Sequence, residues 1–263
     1  MEFKKVVIKI GTSTLTHKTG LCNILRMEKI TKVIADLKNS GKEVVVVTSG
    51  AVGIGAGMLG FFTPPKEIPK RQACASLGQC ILMNLYADLF SRYGYLVSQI
   101  LLPQKVLDGA ENEFNTKNTF NELLKRRIIP IVNANDTIST KELEFGDNDT
   151  LSAYVSLLVD ADLLIILTDL DGVFDKNPNE NKDAKLIKKI EIIDENLKNA
   201  VKGGPNSLGT GGMQTKLKAA KIVGKKEKPT VILNGSFPER MYGVFKGNIE
   251  GTLINLKREY IEE

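Results

Sequence analysis

The residues best suited to chemistry lie in Ser207-Leu208-Gly209-Thr210-Gly211-Gly212-Met213-Gln214-Thr215-Lys216. Glycines at 209, 211 and 212 free the backbone, so several N–H groups can converge on one anion. Behind the loop, Met213, Leu217, Ala220 and Val223 recur at helical spacing, so the loop is expected to open a helix. Helix N-termini attract phosphate through free N–H groups and the positive end of the dipole. Lys216 and Lys218 stand in the first turns, where a cation is disfavoured unless an anion is bound. A Gly-rich surface turn with its lysines in water accounts for the same residues, so the stretch needs support from elsewhere.

That support comes from the ends of the apolar runs. Val6 to Ile10 contains Lys9 and runs into Gly11-Thr12-Ser13, and Val44 to Val47 closes with Thr48-Ser49-Gly50-Ala51. Ile128 to Val132 stops at Asn133-Ala134-Asn135-Asp136, and Leu163 to Leu167 stops at Thr168-Asp169. Short runs of this kind read as buried strands. In an open parallel sheet, ligands bind at the carboxyl edge of the strands, which is where Lys9, Ser49, Asp136 and Thr168-Asp169 would gather.

The elements that must carry these residues alternate. Asn23 can cap a helix with Met27, Ile30, Val33, Ile34 and Leu37 on one face, ended by Gly41. Strand, helix, strand in this span is a βαβ unit with a right-handed crossover. Gly50 to Gly60 is rich in small residues; Pro69 starts a long helix through Ser91; Tyr95 to Leu102 reads as a strand and Glu111 to Lys125 as a helix. Ile138 to Phe145 alternates and suggests a hairpin. Asp147-Asn148-Asp149-Thr150 is placed to cap a helix over Leu151 to Val159. Asp175 to Lys185 is a polar excursion, and strands follow at Thr230 to Leu233 and Thr252 to Asn255. The pattern predicts one continuous α/β unit over residues 1–263, with room for two lobes.

Bulk properties narrow the function. A net charge of +5 on 263 residues suits acidic small molecules and argues against nucleic acid. Three cysteines with no CxxC pair read as reduced thiols, not as a disulfide frame or zinc site. With no secretory signal and no apolar run of about 18 residues, the expectation is a cytoplasmic protein without a membrane span. Gly55-Ala56-Gly57-Met58-Leu59-Gly60 matches GxGxxG, but Gly50 to Ile54 separate it from the strand end, so close helix packing explains it better than a dinucleotide. His17 is the only histidine, which leaves little for Ser/His or Cys/His catalysis or for histidine metal sites.

Taken in order, Lys9-Ile10-Gly11-Thr12-Ser13, Val47-Thr48-Ser49-Gly50-Ala51, Gly146-Asp147-Asn148-Asp149, Leu167-Thr168-Asp169 and Gly209 to Lys216 resemble the amino-acid kinase family, and within it the branch that acts on glutamate. The resemblance implies a three-layer αβα sandwich around a mainly parallel sheet. It also implies ATP-dependent phosphorylation of the side-chain carboxylate of L-glutamate, the first step of proline synthesis. By position, Lys9 and Lys216 look like the lysine pair at the transferred phosphoryl group, and Asp149 like the carboxylate that organises them. Ser49, Asp136 and Asn148 look like glutamate contacts. Lys9, Thr168, Asp169, Thr210, Gly211, Gly212, Met213, Gln214, Thr215 and Lys216 look like ATP contacts. Mg2+ is expected to bind mainly through the phosphates, with no dedicated protein ligands. A homo-oligomer and feedback by proline are further implications. Ala134 stands where the family's loop is expected to have Glu, and the chain is expected to lack the C-terminal PUA domain that many relatives carry.

The implied chemistry suits these residues. A glutamate carboxylate, with an ordinary pKa of about 4.3, is already an anionic nucleophile at neutral pH, so no general base is needed. The obstacle is repulsion between that anion and a triphosphate, which positioning and well-placed cations overcome. Asp136 suits an ammonium group, and Ser49 with nearby amides suits a carboxylate. The competing readings are a kinase of the same fold acting on N-acetylglutamate, and a non-catalytic amino-acid sensor.

Overall fold

The structure is a computed structural model, and it describes residues 2–103, 109–138, 148–201 and 212–257. By its internal contacts the chain divides into two units: Ile10–Phe145, and Met1–Lys9 with Gly146–Glu263. The first strand thus belongs with the C-terminal half.

The Ile10–Phe145 unit contains α1 (Thr12–Leu15), α2 (Ile24–Asn39), β2 (Glu43–Thr48), α3 (Ala51–Met58), α4 (Ile68–Ser91), β3 (Val97–Leu102), α5 (Ala110–Lys125) and β4 (Ile129–Ala134). Its strands run parallel in the order β3-β4-β2. Asn23 caps α2 as its sequence suggests, accepting from the Arg26 N–H at 3.1 Å. Val44 to Val47 are fully buried, as a strand covered on both faces requires. Pro69 lies in the first turn of α4, where its missing N–H costs nothing.

The small-residue segment after β2 is the helix α3, packed tightly on α4. A Cβ on Gly55 would stand 1.9 Å from the Cys74 carbonyl oxygen, and one on Gly78 1.8 Å from that of Ala51. Those glycines let two helix backbones touch; in the GxGxxG match Gly55 makes this contact, Gly57 packs against Gly20, and Gly60 takes a positive φ of 76°. By length and composition α4 could cross a membrane. Here its apolar side, including Leu82, Tyr86, Leu89 and Phe90, is buried in the core.

The other unit holds β1 (Lys5–Ile10, up to Lys9), α6 (Asn148–Leu158), β5 (Leu163–Thr168), β6 (Lys189–Ile190), α7 (Glu195–Ala200), α8 (Met213–Gly224), β7 (Thr230–Asn234), α9 (Arg240–Phe245) and β8 (Thr252–Ile254). Its strand order is β1-β5-β7-β8-β6. β5 and β7 are parallel and β7 and β8 antiparallel, which makes the strands mainly parallel. Leu163 to Leu167 are completely buried. The polar excursion of 175–185 is a set of turns around Asn177, closed by a bridge between Phe174 and Leu186. Of the expected hairpin over Ile138 to Phe145, only Ile138 is among the described residues. The short α1, α7, α9 and β6 carry too few residues for a periodic signal, and the sequence does not announce them.

Candidate active site

In the unit formed by Met1–Lys9 and Gly146–Glu263, three separated segments meet at one carboxylate. Lys9 is the fifth residue of β1, Asp149 the second of α6, and Lys216 the fourth of α8. Lys9 Nζ lies 2.6 Å from Asp149 Oδ1 and Lys216 Nζ 3.0 Å from Oδ2. The Thr215 hydroxyl also donates to Oδ2, at 2.7 Å. Asp149 has no exposure to solvent, and each lysine retains 5 %.

Burial by itself would raise the Asp149 carboxyl. The charges of Lys9 and Lys216, helped by the Thr215 hydrogen bond, outweigh it and hold the group below its ordinary value of 3.8. Asp149 is therefore ionised at neutral pH and spaces two ammonium groups that would otherwise repel each other. The sequence placed Asp149 among helix-capping residues, and the family resemblance made it the carboxylate that organises the two lysines. In the structure it lies inside the first turn of α6, with its carboxylate turned to the lysines.

A helix begins directly after Gly212, as expected. Gly212 is the N-cap of α8, with extended backbone and no side-chain cap. The first turn therefore offers its N–H end to an incoming group. Lys216 points inward and is buried, whereas Lys218 is exposed. Thr210 and Gly211 lie outside the described residues. Met213 and Gln214 occupy the first turn of α8. Thr168 ends β5, and its hydroxyl donates to the exposed Asp169 carboxylate at 3.0 Å.

Beside this strand end is a network the sequence did not suggest. Asp171 Oδ1 accepts from Arg240 Nη1 at 2.6 Å and from Asn234 Nδ2 at 3.2 Å. Arg240 also covers the Phe237 ring at 4.6 Å and pairs with Glu250. Its members come from the ends of β5 and β7, from α9 and from the turn before β8, and no periodic pattern links them.

In the Ile10–Phe145 unit, Ser49 follows β2 and precedes Gly50, whose φ of 95° turns the chain into α3. That conformation favours glycine and leaves α3 without a side-chain cap. Asp136 lies in the turn after β4, next to a Thr137-to-Asn135 side-chain hydrogen bond of 2.6 Å. Both strand ends are tied to α4. The Thr48 and Tyr86 hydroxyls lie 2.9 Å apart, and Asn133 Nδ2 donates to Gln79 Oε1 at 2.9 Å. The sequence signal for these ties is a polar group inside an otherwise apolar helix face. Asn148 begins α6 and belongs to the other unit. Among the described residues no group of three or more His, Cys, Asp or Glu could hold a metal ion.

Comparison with known proteins adds to this geometry. Residues 4–234 match the model of the amino acid kinase family. A glutamate 5-kinase of Clostridium perfringens is 44% identical over 261 residues, 98% of this chain and 97% of that protein. A glutamate 5-kinase of Clostridium acetobutylicum is 47% identical over 95% of this chain and 94% of that protein. Among solved structures, a carbamate kinase from Giardia lamblia bound to AMP-PNP aligns with a TM-score of 0.70 at 16% identity, over 97% of this chain and 99% of that one. At that identity the likeness concerns the fold.

Proposed function

The chain belongs to the amino acid kinase family, and from that premise we propose that it transfers the γ-phosphoryl group of ATP to the side-chain carboxylate of L-glutamate, giving glutamyl 5-phosphate and ADP. The reading is supported by relatives named glutamate 5-kinase across nearly the whole chain. The observation that carries it is the convergence of Lys9 and Lys216 on the buried Asp149.

In this reading the carboxylate of glutamate attacks the γ-phosphorus in line, the bond to the β–γ bridging oxygen breaks, and ADP leaves with that electron pair. Lys9 and Lys216 neutralise the negative charge on the phosphoryl oxygens during transfer. Asp149 holds both lysine side chains in place, so their reorganisation does not add to the barrier. Thr168, Asp169 and the run Thr210 to Lys216 hold ATP, with the α8 amino end directed at its phosphates. Ser49 and the amino end of α3 receive a carboxylate of glutamate, Asp136 its ammonium, and Asn148 supports the same substrate.

Both Asp149 oxygens are engaged by the ammonium groups and Thr215, so that carboxylate is not offered to a metal. This suits Mg2+ carried mainly by phosphate oxygens and water, where it would screen phosphate charge when bound. The free thiols of Cys22, Cys74 and Cys80 support a reducing, cytoplasmic setting. Exposed apolar side chains at Leu25, Met58, Leu59 and Phe62 support a homo-oligomer. Proline, which shares an α-carboxylate and ammonium with glutamate, is the expected feedback ligand.

The deciding experiment is ADP release with ATP and Mg2+, together with hydroxylamine trapping of the acyl phosphate. Glutamate-dependent ADP and hydroxamate are expected, with little from N-acetylglutamate. The reverse preference would make the chain a kinase of another acid, and binding of glutamate without turnover would make it a sensor.

A further inference from the structure

Two consecutive residues of α4 touch the elements that flank the two turns assigned above to glutamate. Gly78 lies against the first residue of α3, so close that an added Cβ would stand 1.8 Å from the Ala51 carbonyl oxygen. Gln79, about 100° further round the helix, accepts through Oε1 from Asn133 Nδ2 near the end of β4. Pairing of Val47 with Val132 sets Thr48 beside Asn133 at the strand ends. Thr48 is bonded to Tyr86, two turns along the same face of α4. That face therefore makes polar contacts with neighbouring strand ends at both positions.

The direction of the Gln79 amide is determined by its surroundings. The Ala134 N–H donates to Asn133 Oδ1 at 2.9 Å, and a backbone N–H can only donate. Asn133 must therefore turn its nitrogen to Gln79, and Gln79 must answer with its oxygen. What remains is Gln79 Nε2, two N–H donors with no hydrogen-bond partner among the described residues, on a residue only 7 % exposed. A buried amide left this way is costly, and native proteins seldom tolerate it without a ligand or water to receive it. The receiving group must be an acceptor. The preceding residue, Gly78, lies against Ala51 at the start of α3, whose amino end has no side-chain cap, and near such an end the acceptor that gains most is an anion.

We propose that Gln79 Nε2 donates a hydrogen bond to the α-carboxylate of bound glutamate, making Gln79 a residue that selects the charged main-chain end of the substrate. The proposal rests on the glutamate kinase reading, in which Asp136 takes the ammonium on the same carbon. Gln79 grips the end of the substrate that does not react, so it governs affinity and selectivity more than the chemical step.

The sharpest variant is Gln79→Glu, which keeps an oxygen for Asn133 and nearly the same volume but replaces the donor by an anionic oxygen. Steady-state kinetics would compare L-glutamate with L-isoglutamine, whose α-carboxylate is an amide while its side-chain carboxylate can still be phosphorylated. Relative to wild type, Q79E is expected to raise KM for glutamate by about a hundredfold and to leave KM for ATP within about twofold. Its preference for glutamate over isoglutamine should fall by at least about a hundredfold, because an amide can donate to the new carboxylate where a carboxylate is repelled. Gln79→Leu, an apolar replacement that keeps the variant set informative if Q79E folds poorly, should raise KM for glutamate by about tenfold or more. A purely structural Gln79 would lower the melting temperature and leave the glutamate-to-isoglutamine ratio unchanged in both variants, which would overturn the proposal. An active wild type with unaltered variants defeats this proposal alone. A wild type without glutamate-dependent ADP release defeats the functional reading and this proposal together.

Discussion

Lys9 Nζ stands 2.6 Å from Asp149 Oδ1, with almost no solvent on either side of the pair. A lysine fixed in this way is in position before any phosphate arrives. Lys9→Ala and, separately, Lys216→Ala are each expected to lower kcat by about a hundredfold or more, the usual consequence of losing one transition-state donor. Circular dichroism and melting temperature should show that both variants fold. Near-normal turnover in both would remove the lysines from the reaction.

Asp149 links that site to stability. Because its folded pKa lies below the ordinary 3.8, the unfolded chain takes up the proton more readily than the native one. The stabilisation is therefore fully present above 3.8 and is lost as pH falls through the lower, folded value. Asp149→Asn leaves two buried ammonium groups without that counter-charge, and should cost about 3–5 kcal/mol at neutral pH. Urea unfolding of wild type and D149N should differ clearly at pH 7 and converge in strong acid. A gap that stays constant with pH would mean that charge is not what Asp149 contributes.

Much of this arrangement was legible in the sequence, for reasons that can be located. Apolar runs such as Val44 to Val47 and Leu163 to Leu167 announce buried strands, and polar residues directly after them are the basis for expecting a ligand edge. The glycine loop announced the start of α8, and Gly55 announced close helix packing. What stayed hidden depends on contacts between residues that no period connects. Asp171 with Arg240 and Asn234 is one case, and Asn133 with Gln79 is another. The position of Asp149 at the start of α6 was legible, but whether it would cap the helix or face the lysines depends on side-chain direction, which spacing alone does not set.

Two glycines separate packing from ligand binding. Gly78→Ala would drive a methyl group into the Ala51 carbonyl, and neither backbone can yield cheaply. It should destabilise the protein by about 1–3 kcal/mol or more. Because Ala51 follows Ser49 and Gly50, it should also raise KM for glutamate. At Gly212 the backbone has φ of −67°, and an added Cβ meets nothing within 4 Å among the described residues. Gly212→Ala should therefore melt with wild type, and any defect should appear in KM for ATP. Equal loss of stability in both variants would contradict this division.

Lys38 supplies a second pH dependence of the same sign, at alkaline pH and remote in chemistry from phosphoryl transfer. It lies on α2 with only 5 % exposure, its Nζ 5.3 Å from the centre of the Tyr95 ring. Tyr95 in turn donates to Asn39 and accepts from Arg127. Burial, followed by the Arg127 charge, pulls the Lys38 pKa down from 10.5 to about 8, with Glu43 opposing in part. Between those values the unfolded chain holds a proton that the folded chain has released, so stability rises with pH across the interval. At neutral pH the charged lysine is held in place against its preference for water. Lys38→Met retains the apolar stem and removes that cost, so it should stabilise the protein by about 1–3 kcal/mol at pH 7. The advantage should shrink as pH passes 8 and vanish near 10.5, which chemical denaturation at stepped pH would follow. If K38M instead destabilises the protein equally at every pH, the contact with Tyr95 outweighs desolvation and the assignment of the shift to burial fails.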